Sequence, residues 1–430
     1  MDPMENQVRI GRLVFLQLWI VSFTIAFDVV GDLKLADLLF VPAVFLFRHE
    51  FRRALLADDI FVRAAIGLTI VVAWASLLTI ALNPAPLWPL VVALRFFRHV
   101  SYIAIVPAIR YANLSKGGVR YLFGTIVVAI LVQAVLVVLQ RFGFVPVLWP
   151  ARELAYHPRE FSGTLYLNHL NSVLFMLVGL ASTIGIVLAN PVLRNLLFFI
   201  LPVVLMVHAM LIGRARTSFV ALAAFVLMLV RRARTLFLLL LLVCIAIPVL
   251  STSRLDVIKN MRELWQQRVL DRLKTRRIES LDNLAELGAS RTEIWKETLA
   301  GIAAKPYVLV TGAGFQNFSH VNRNAVAAHN QYLHVLVELG LGGLFFYSWL
   351  VWALWRQLAA MGRKSRELYY LISLPGTACL AAVLVAGILN ETFYSSRAIP
   401  GFMGFFLAYV AVGTHRAWLV EESIAVANPS

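Results

Sequence analysis

Ile60-Phe-Val-Arg-Ala-Ala-Ile-Gly-Leu-Thr-Ile-Val-Val-Ala-Trp-Ala-Ser-Leu-Leu-Thr-Ile-Ala-Leu82 carries one charge, Arg63, in a run otherwise built from apolar and small residues. A helix rises 1.5 Å per residue, so about 20 such residues cross the roughly 30 Å hydrocarbon layer of a bilayer. No water is available there to satisfy backbone polar groups, which selects helix over an open sheet. Similar runs lie on both sides of this one. They are Leu13 to Val30, Leu35 to Phe47, Leu87 to Ile109, Tyr121 to Leu139, Leu170 to Leu188, Leu196 to Ile212, Ser218 to Val230, Leu236 to Leu250, Gln331 to Trp355, Tyr369 to Leu389 and Ile399 to Val412.

The composition agrees, with 60% hydrophobic and 14% charged residues and a mean hydropathy of +0.79. A soluble domain cannot bury that much apolar surface. The expected fold is an all-α polytopic membrane protein of about 12 transmembrane helices. The second run and Ser218 to Val230 are short enough to be re-entrant or interfacial. The first run is longer than a signal-peptide core and lacks a following A-x-A-like site, so it reads as a retained span.

Basic residues set the topology. With a cytoplasmic N-terminus, the inner loops hold residues such as Arg9, Arg12, Arg48, Arg52, Arg53, Arg110, Arg120, Arg194, Arg231, Arg232, Arg363 and Arg416. The outer loops hold far fewer: Lys34, Arg141, Arg152, Arg159, Arg214, Arg216 and Arg397. The positive-inside rule then puts both termini in the cytoplasm and the segment after Leu250 outside. The net charge of +16 is spread singly over span ends. With no contiguous patch and no reader motif, nucleic acid is an unexpected partner, whereas membrane lipids are expected ones. Cys244 and Cys379 fall inside spans and read as small core hydrophobes, giving neither a disulfide framework nor a metal site.

The chain shows no repeat and reads as one membrane domain, 1–430, interrupted by a hydrophilic helical segment at 251–329. Leu255, Ile258, Met261, Trp265, Val269 and Leu273 form the stripe of an amphipathic helix. A second helix is expected near Ser290, where Ser290 and Glu293 have capping-box spacing. Pro306 and Thr311-Gly-Ala-Gly-Phe315 end it in a turn whose glycines are a weak phosphate signal on their own.

The residues suited to chemistry cluster on the outer side. Ala328-His329-Asn330 runs into a span and puts an imidazole at its mouth, where histidine can act as a general base or simply anchor the helix end. His320, His329 and His334 lack zinc-site spacing. Arg214, Arg216 and Arg291 face the same side. Guanidinium groups grip phosphate oxygens bidentately, although snorkelling to headgroups is an equal use. Asn168, His169 and Asn171 offer hydrogen bonds to sugar hydroxyls, or a capped helix start. Arg95, Arg98 and His99 lie within a span, either as a functional site or paired with acids such as Asp28 or Glu391.

These elements resemble the O-antigen ligase and polymerase-like membrane glycosyltransferases of the bacterial cell envelope. Ser162-Gly163-Thr164 with Asn168 to Asn171, Ala215 to Ser218, Ser290-Arg291 with Ile294-Trp295, Thr311 to Gly314, and His329-Asn330 leading to Leu339-Gly340-Leu341-Gly342 follow one another in that family's order. The resemblance implies a GT-C-like bundle with one large periplasmic helical loop in the bacterial inner membrane. It also implies transfer of an undecaprenyl-diphosphate-linked glycan to an acceptor, without cofactor or metal. On this resemblance His329 is the base, Arg216 and Arg291 hold the diphosphate, and Arg214, Asn330, Asn168, His169, Asn171, Gly312 and Gly314 contact substrate.

A ligase using a lipid A-core acceptor is expected first, because a single long segment precedes the histidine and the chain stops soon after its last span. A polymerase comes second and a protein O-oligosaccharyltransferase third. A lipid-linked glycan transporter is the competing class, and a scaffold the third.

Overall fold

The structure is a computed structural model that describes residues 3–25, 28–30, 33–83, 88–142, 144–146, 169–190, 192–212, 216–230, 283–322, 327–390, 392 and 401–427. Apart from a two-stranded ladder, β1 (Asp28–Val30) and β2 (Leu33–Lys34), every regular element among them is helical. The helices are α1 (Pro3–Ser22), α2 (Leu35–Leu46), α3 (Arg48–Leu56), α4 (Ile60–Leu82), α5 (Trp88–Arg110), α6 (Lys116–Arg141), α7 (His169–Ala189), α8 (Leu193–Ile212), α9 (Arg216–Val230), α10 (Asn283–Ala304), the short α11 (Tyr307–Thr311), α12 (Gln331–Lys364), α13 (Arg366–Gly387) and α14 (Phe402–Ala427). Helix α13 passes through a π-helical turn at Tyr369–Ser373.

Among the described residues, α4, α5, α6, α12 and α13 are long and apolar enough to cross a membrane, and 35–46, 173–189, 199–210 and 219–230 are shorter apolar helices. The expected run Leu236 to Leu250 and the amphipathic stripe from Leu255 to Leu273 lie outside the described residues. So do Cys244, Arg214, Asn168 and Glu391.

Local sequence explains the starts. Asp59 Oδ1 accepts from the Phe61 amide at 2.8 Å to cap α4, and Ser115 Oγ accepts from Gly118 at 3.2 Å to cap α6. The capping-box reading of Ser290 is corrected, because α10 begins at Asn283 and Ser290 lies within it. The spacing from Ser290 to Glu293 also occurs inside any polar helix, so it does not by itself mark a start.

The intramembrane arginine pairs with an acid other than those expected. Arg98 donates to Asp37 through Nε at 3.2 and 3.0 Å and through an Nη at 2.7 Å. Both side chains are buried, so the pair offsets a charge that would be costly alone. Asp37 lies on α2 and was not among the acids named as expected partners.

Contacts define two ends of the bundle. At one end, Arg110 pairs with Asp59, and the His415 ring nitrogens contact the carbonyls of Arg110 at 3.1 Å and Leu114 at 3.2 Å. At the other end, Phe175 of α7 packs on Phe402 and Phe405 of α14, ring centroids 5.7 and 5.1 Å apart. A Cβ on Gly185 would sit 2.1 Å from the Leu371 carbonyl, so the far end of α7 meets the start of α13. Helix α7 therefore runs antiparallel to α13, and its first turn lies level with the end of α13. Helix α8 packs along α7, and α9 packs along α13.

Candidate functional site

The site grows from a break in α12. Gly340 sits at φ 69, ψ −170, interrupting the helical ladder within the apolar run. Such a break frees carbonyls that lipid cannot satisfy. The turn after α11 takes them: the amide of Ala313 donates to Val337 at 2.7 Å and that of Gly314 to Glu338 at 3.1 Å. The same turn reaches α4, with Phe315 N donating to Ala75 at 3.0 Å and Thr79 Oγ1 donating to Phe315 O at 2.8 Å. Gly312 (φ 74) and Gly314 (φ 101) are buried where a Cβ would lie 2.2 Å from Glu338 O and 2.3 Å from Thr79 Oγ1.

The amides around Gly312 and Gly314 are bonded within the fold. Gly312 N already donates to Val308 at 3.0 Å, and the next three amides are spent as described. The glycines are there because two backbones and a helix meet too closely for side chains.

Above the break, the start of α12 is sewn to the end of α13. Asn330 caps α12, its Oδ1 accepting from Tyr332 and Leu333 amides at 3.0 Å each. Its Nδ2 donates to Ile388 O at 3.1 Å. Gln331 Oε1 accepts from Thr392 N at 2.8 Å, and Tyr332 donates its hydroxyl to Leu384 O at 3.0 Å. The bonds to Ile388, Thr392 and Leu384 hold His329 at the mouth of the helix with φ 49, a left-handed backbone that costs a non-glycine residue energy unless its surroundings impose it. His329 Nδ1 lies 3.4 Å from Asn390 Oδ1.

Helix α10 joins from the side. Trp295 donates its indole N–H to Ala328 O at 2.8 Å. Asn322 Nδ2 donates to Ile294 O at 3.3 Å and to Thr298 Oγ1 at 3.2 Å. Arg291, half-buried, precedes Trp295 by one turn on the same face of α10. The structure thus brings the arginine's helix face next to the segment that delivers His329.

The other expected residues divide by what is described. His169 and Asn171 lie in the first turn of α7, and Arg216 begins α9. Their side chains, and all of Arg214 and Asn168, fall outside the described atoms. His334 is drawn into the core, with Nε2 3.3 Å from Glu338 Oε1 and its ring stacked on Phe318 at 5.5 Å. The His320 Nε2 lies 2.7 Å from the Tyr307 hydroxyl. Among the described residues, no group of three His, Cys, Asp or Glu side chains could hold a metal ion.

Asn390 was missed in the sequence. Asn390-Glu391 at the end of an apolar run was a readable polar signal, but only Glu391 was weighed, as a partner for intramembrane arginines.

An imidazole fixed at a helix mouth, with an amide against one nitrogen and an arginine-bearing helix alongside, can accept a proton next to an anion. Residues 201–348 match the family model described as O-Antigen ligase. That range runs from α8 past the break in α12 and includes Arg216, Arg291 and His329. None of the curated proteins matches the chain.

Proposed function

We propose, for a chain whose residues 201–348 belong to the O-antigen ligase family, that it transfers a glycan from an undecaprenyl-diphosphate carrier to a hydroxyl of a lipid A-core acceptor, inverting the anomeric centre. The observation that carries this reading is His329, held in a left-handed backbone at the mouth of α12 and tied through Ala328 to the helix of Arg291.

In this mechanism the acceptor hydroxyl gives its proton to His329 while its oxygen attacks the anomeric carbon. The bond from that carbon to the phosphate oxygen breaks, and the electron pair leaves with the diphosphate. Base assistance typically contributes 10²- to 10⁴-fold, and fixed cations at the departing anion add more in a site from which water is excluded. Arg216 and Arg291 hold the diphosphate, with Arg214 as a secondary contact. Asn168, His169 and Asn171 bind sugar hydroxyls from the start of α7. Asn330 acts by holding the helix end, since both of its polar atoms are bonded within the fold.

The protein sits in the bacterial inner membrane with both termini cytoplasmic, and the site opens to the periplasm. The arginines supply the charge that a divalent ion would otherwise provide.

Purified protein given lipid-linked glycan and lipid A-core acceptor, with excess chelator, tests the proposal. Wild type transfers and His329→Ala does not. Unchanged transfer by His329→Ala removes the base, and loss of wild-type transfer on chelation removes the metal-independent route. Transfer to a second lipid-linked unit in place of lipid A-core would identify a polymerase.

A further inference from the structure

We propose that Asn390 is the positioning residue of His329, selecting the imidazole tautomer that leaves Nε2 to take the acceptor's proton. The inference rests on the base role proposed for His329. Asn390 Oδ1 lies 3.4 Å from His329 Nδ1. A neutral imidazole has one donor and one acceptor nitrogen, and a carbonyl oxygen can only accept. With Oδ1 facing Nδ1, the contact is a hydrogen bond only when Nδ1 carries the proton, and that tautomer has its lone pair on Nε2. Catalytic hydrogen bonds of this kind are often long before substrate binds.

The surroundings argue that this contact is more than a stitch between helices. The join between α12 and α13 is already made by Asn330 to Ile388, Thr392 to Gln331 and Tyr332 to Leu384. Thr392 and Gln331 are fully buried, and Thr392 Oγ1 also donates to Val383 O at 2.9 Å. Asn390 itself is fixed by its amide, which donates to Ala386 O at 3.1 Å. The contact of Asn390 with the imidazole thus stands beside a join that other bonds already make. An amide in this place adds no negative charge where a diphosphate must bind.

A carboxylate in the same place would stabilise the imidazolium and raise its pKa. The base must be neutral to work, so the acid limb of the pH profile would then move to higher pH. Other titratable or charged groups on elements around His329 include Arg291, Glu293, Lys296 and Glu297 of α10, and Tyr332, His334 and Glu338 of α12, with Arg216 at the start of α9 and Glu391 next to Asn390 in sequence. None of them is changed in the comparison below.

The experiment uses full-length protein in lipid nanodiscs, comparing wild type, Asn390→Ala, Asn390→Asp and His329→Ala for transfer across pH. Unfolding temperature is measured in parallel. Asn390→Ala should lower kcat at least about 10-fold with KM for the lipid-linked donor little changed. Asn390→Asp, close to isosteric and able to accept from Nδ1, should recover activity at high pH with its acid limb displaced upward by about one unit. If Asn390→Ala does not fold, the Asp variant alone decides the matter. Wild-type kcat in folded Asn390→Ala, or an unmoved acid limb in Asn390→Asp, overturns the positioning role while inactive His329→Ala keeps the base. Active His329→Ala overturns the base reading and this inference with it.

Discussion

Trp295 donates its indole N–H to the main-chain oxygen of Ala328 at 2.8 Å, and so joins the helix carrying Arg291 to the residue before His329. The bond crosses from the hydrophilic segment to the mouth of α12. It adds a directed hydrogen bond to the apolar cluster of Ile294, Ile302, Val321, Ala328, Leu333 and Val337 that packs α10 against the start of α12.

Removing that N–H while keeping a ring should loosen this join more than the fold. Trp295→Phe is expected to cost about 1 kcal/mol of stability, the net worth of one hydrogen bond. Transfer should fall several-fold through kcat. Unfolding in detergent and steady-state transfer measure the two, and an unchanged kcat would sink the idea that this bond positions the site.

The break in α12 makes a second prediction. A Cβ on Gly340 would lie 2.6 Å from Val310 O and 2.8 Å from Gly312 N, at φ 69. Gly340→Ala should lose at least about 2 kcal/mol, from left-handed strain plus the clash. Gly342→Ala is the control, since its Cβ meets only Val71 Cγ2 at 3.9 Å. Thermal unfolding should separate the two variants, and equal values would argue against the break.

The buried ion pair predicts a recovery. Asp37→Ala leaves Arg98 charged and buried, which costs about 3–5 kcal/mol. Adding Arg98→Met should return most of that stability, because no uncompensated charge remains. Folded yield and unfolding temperature of the single and double variants give the answer. A double variant no better than the single would show that Arg98 needs Asp37 for a reason other than charge.

Arg291 separates charge from geometry. Arg291→Ala should reduce kcat/KM by about 100-fold, and Arg291→Lys by about 10-fold, because lysine keeps the charge and loses the bidentate fork. In cells the alanine variant should accumulate lipid-linked precursor. Wild-type kinetics for Arg291→Ala would remove it from the diphosphate site.

Much of the helical frame could be read from local sequence. The span Ile60 to Leu82 matches α4 at both ends, and the run from Leu196 was found within three residues of the start of α8. His329 at the mouth of a span was legible because Asn330 is a strong cap directly before an apolar run. The break at Gly340 was not legible, since a glycine in an apolar helix is common and the carbonyls it frees need partners from elsewhere. The close backbone approach at Gly312 and Gly314 was not legible for the same reason. Glycines that cradle a ligand and glycines that admit a helix look alike in sequence.

What the sequence by itself determined was the long apolar helices, such as α4, α6 and α12, together with the kinds of groups placed at their ends. That follows because crossing a bilayer is a local requirement, met or failed within about 20 residues. Only the tertiary structure decided which groups meet: Asp37 with Arg98, the amides at 313–314 with the carbonyls at 337–338, and Asn390 with His329. Those pairings join separate helices, so they depend on how the bundle closes and on the need for each buried polar group to find a partner within it.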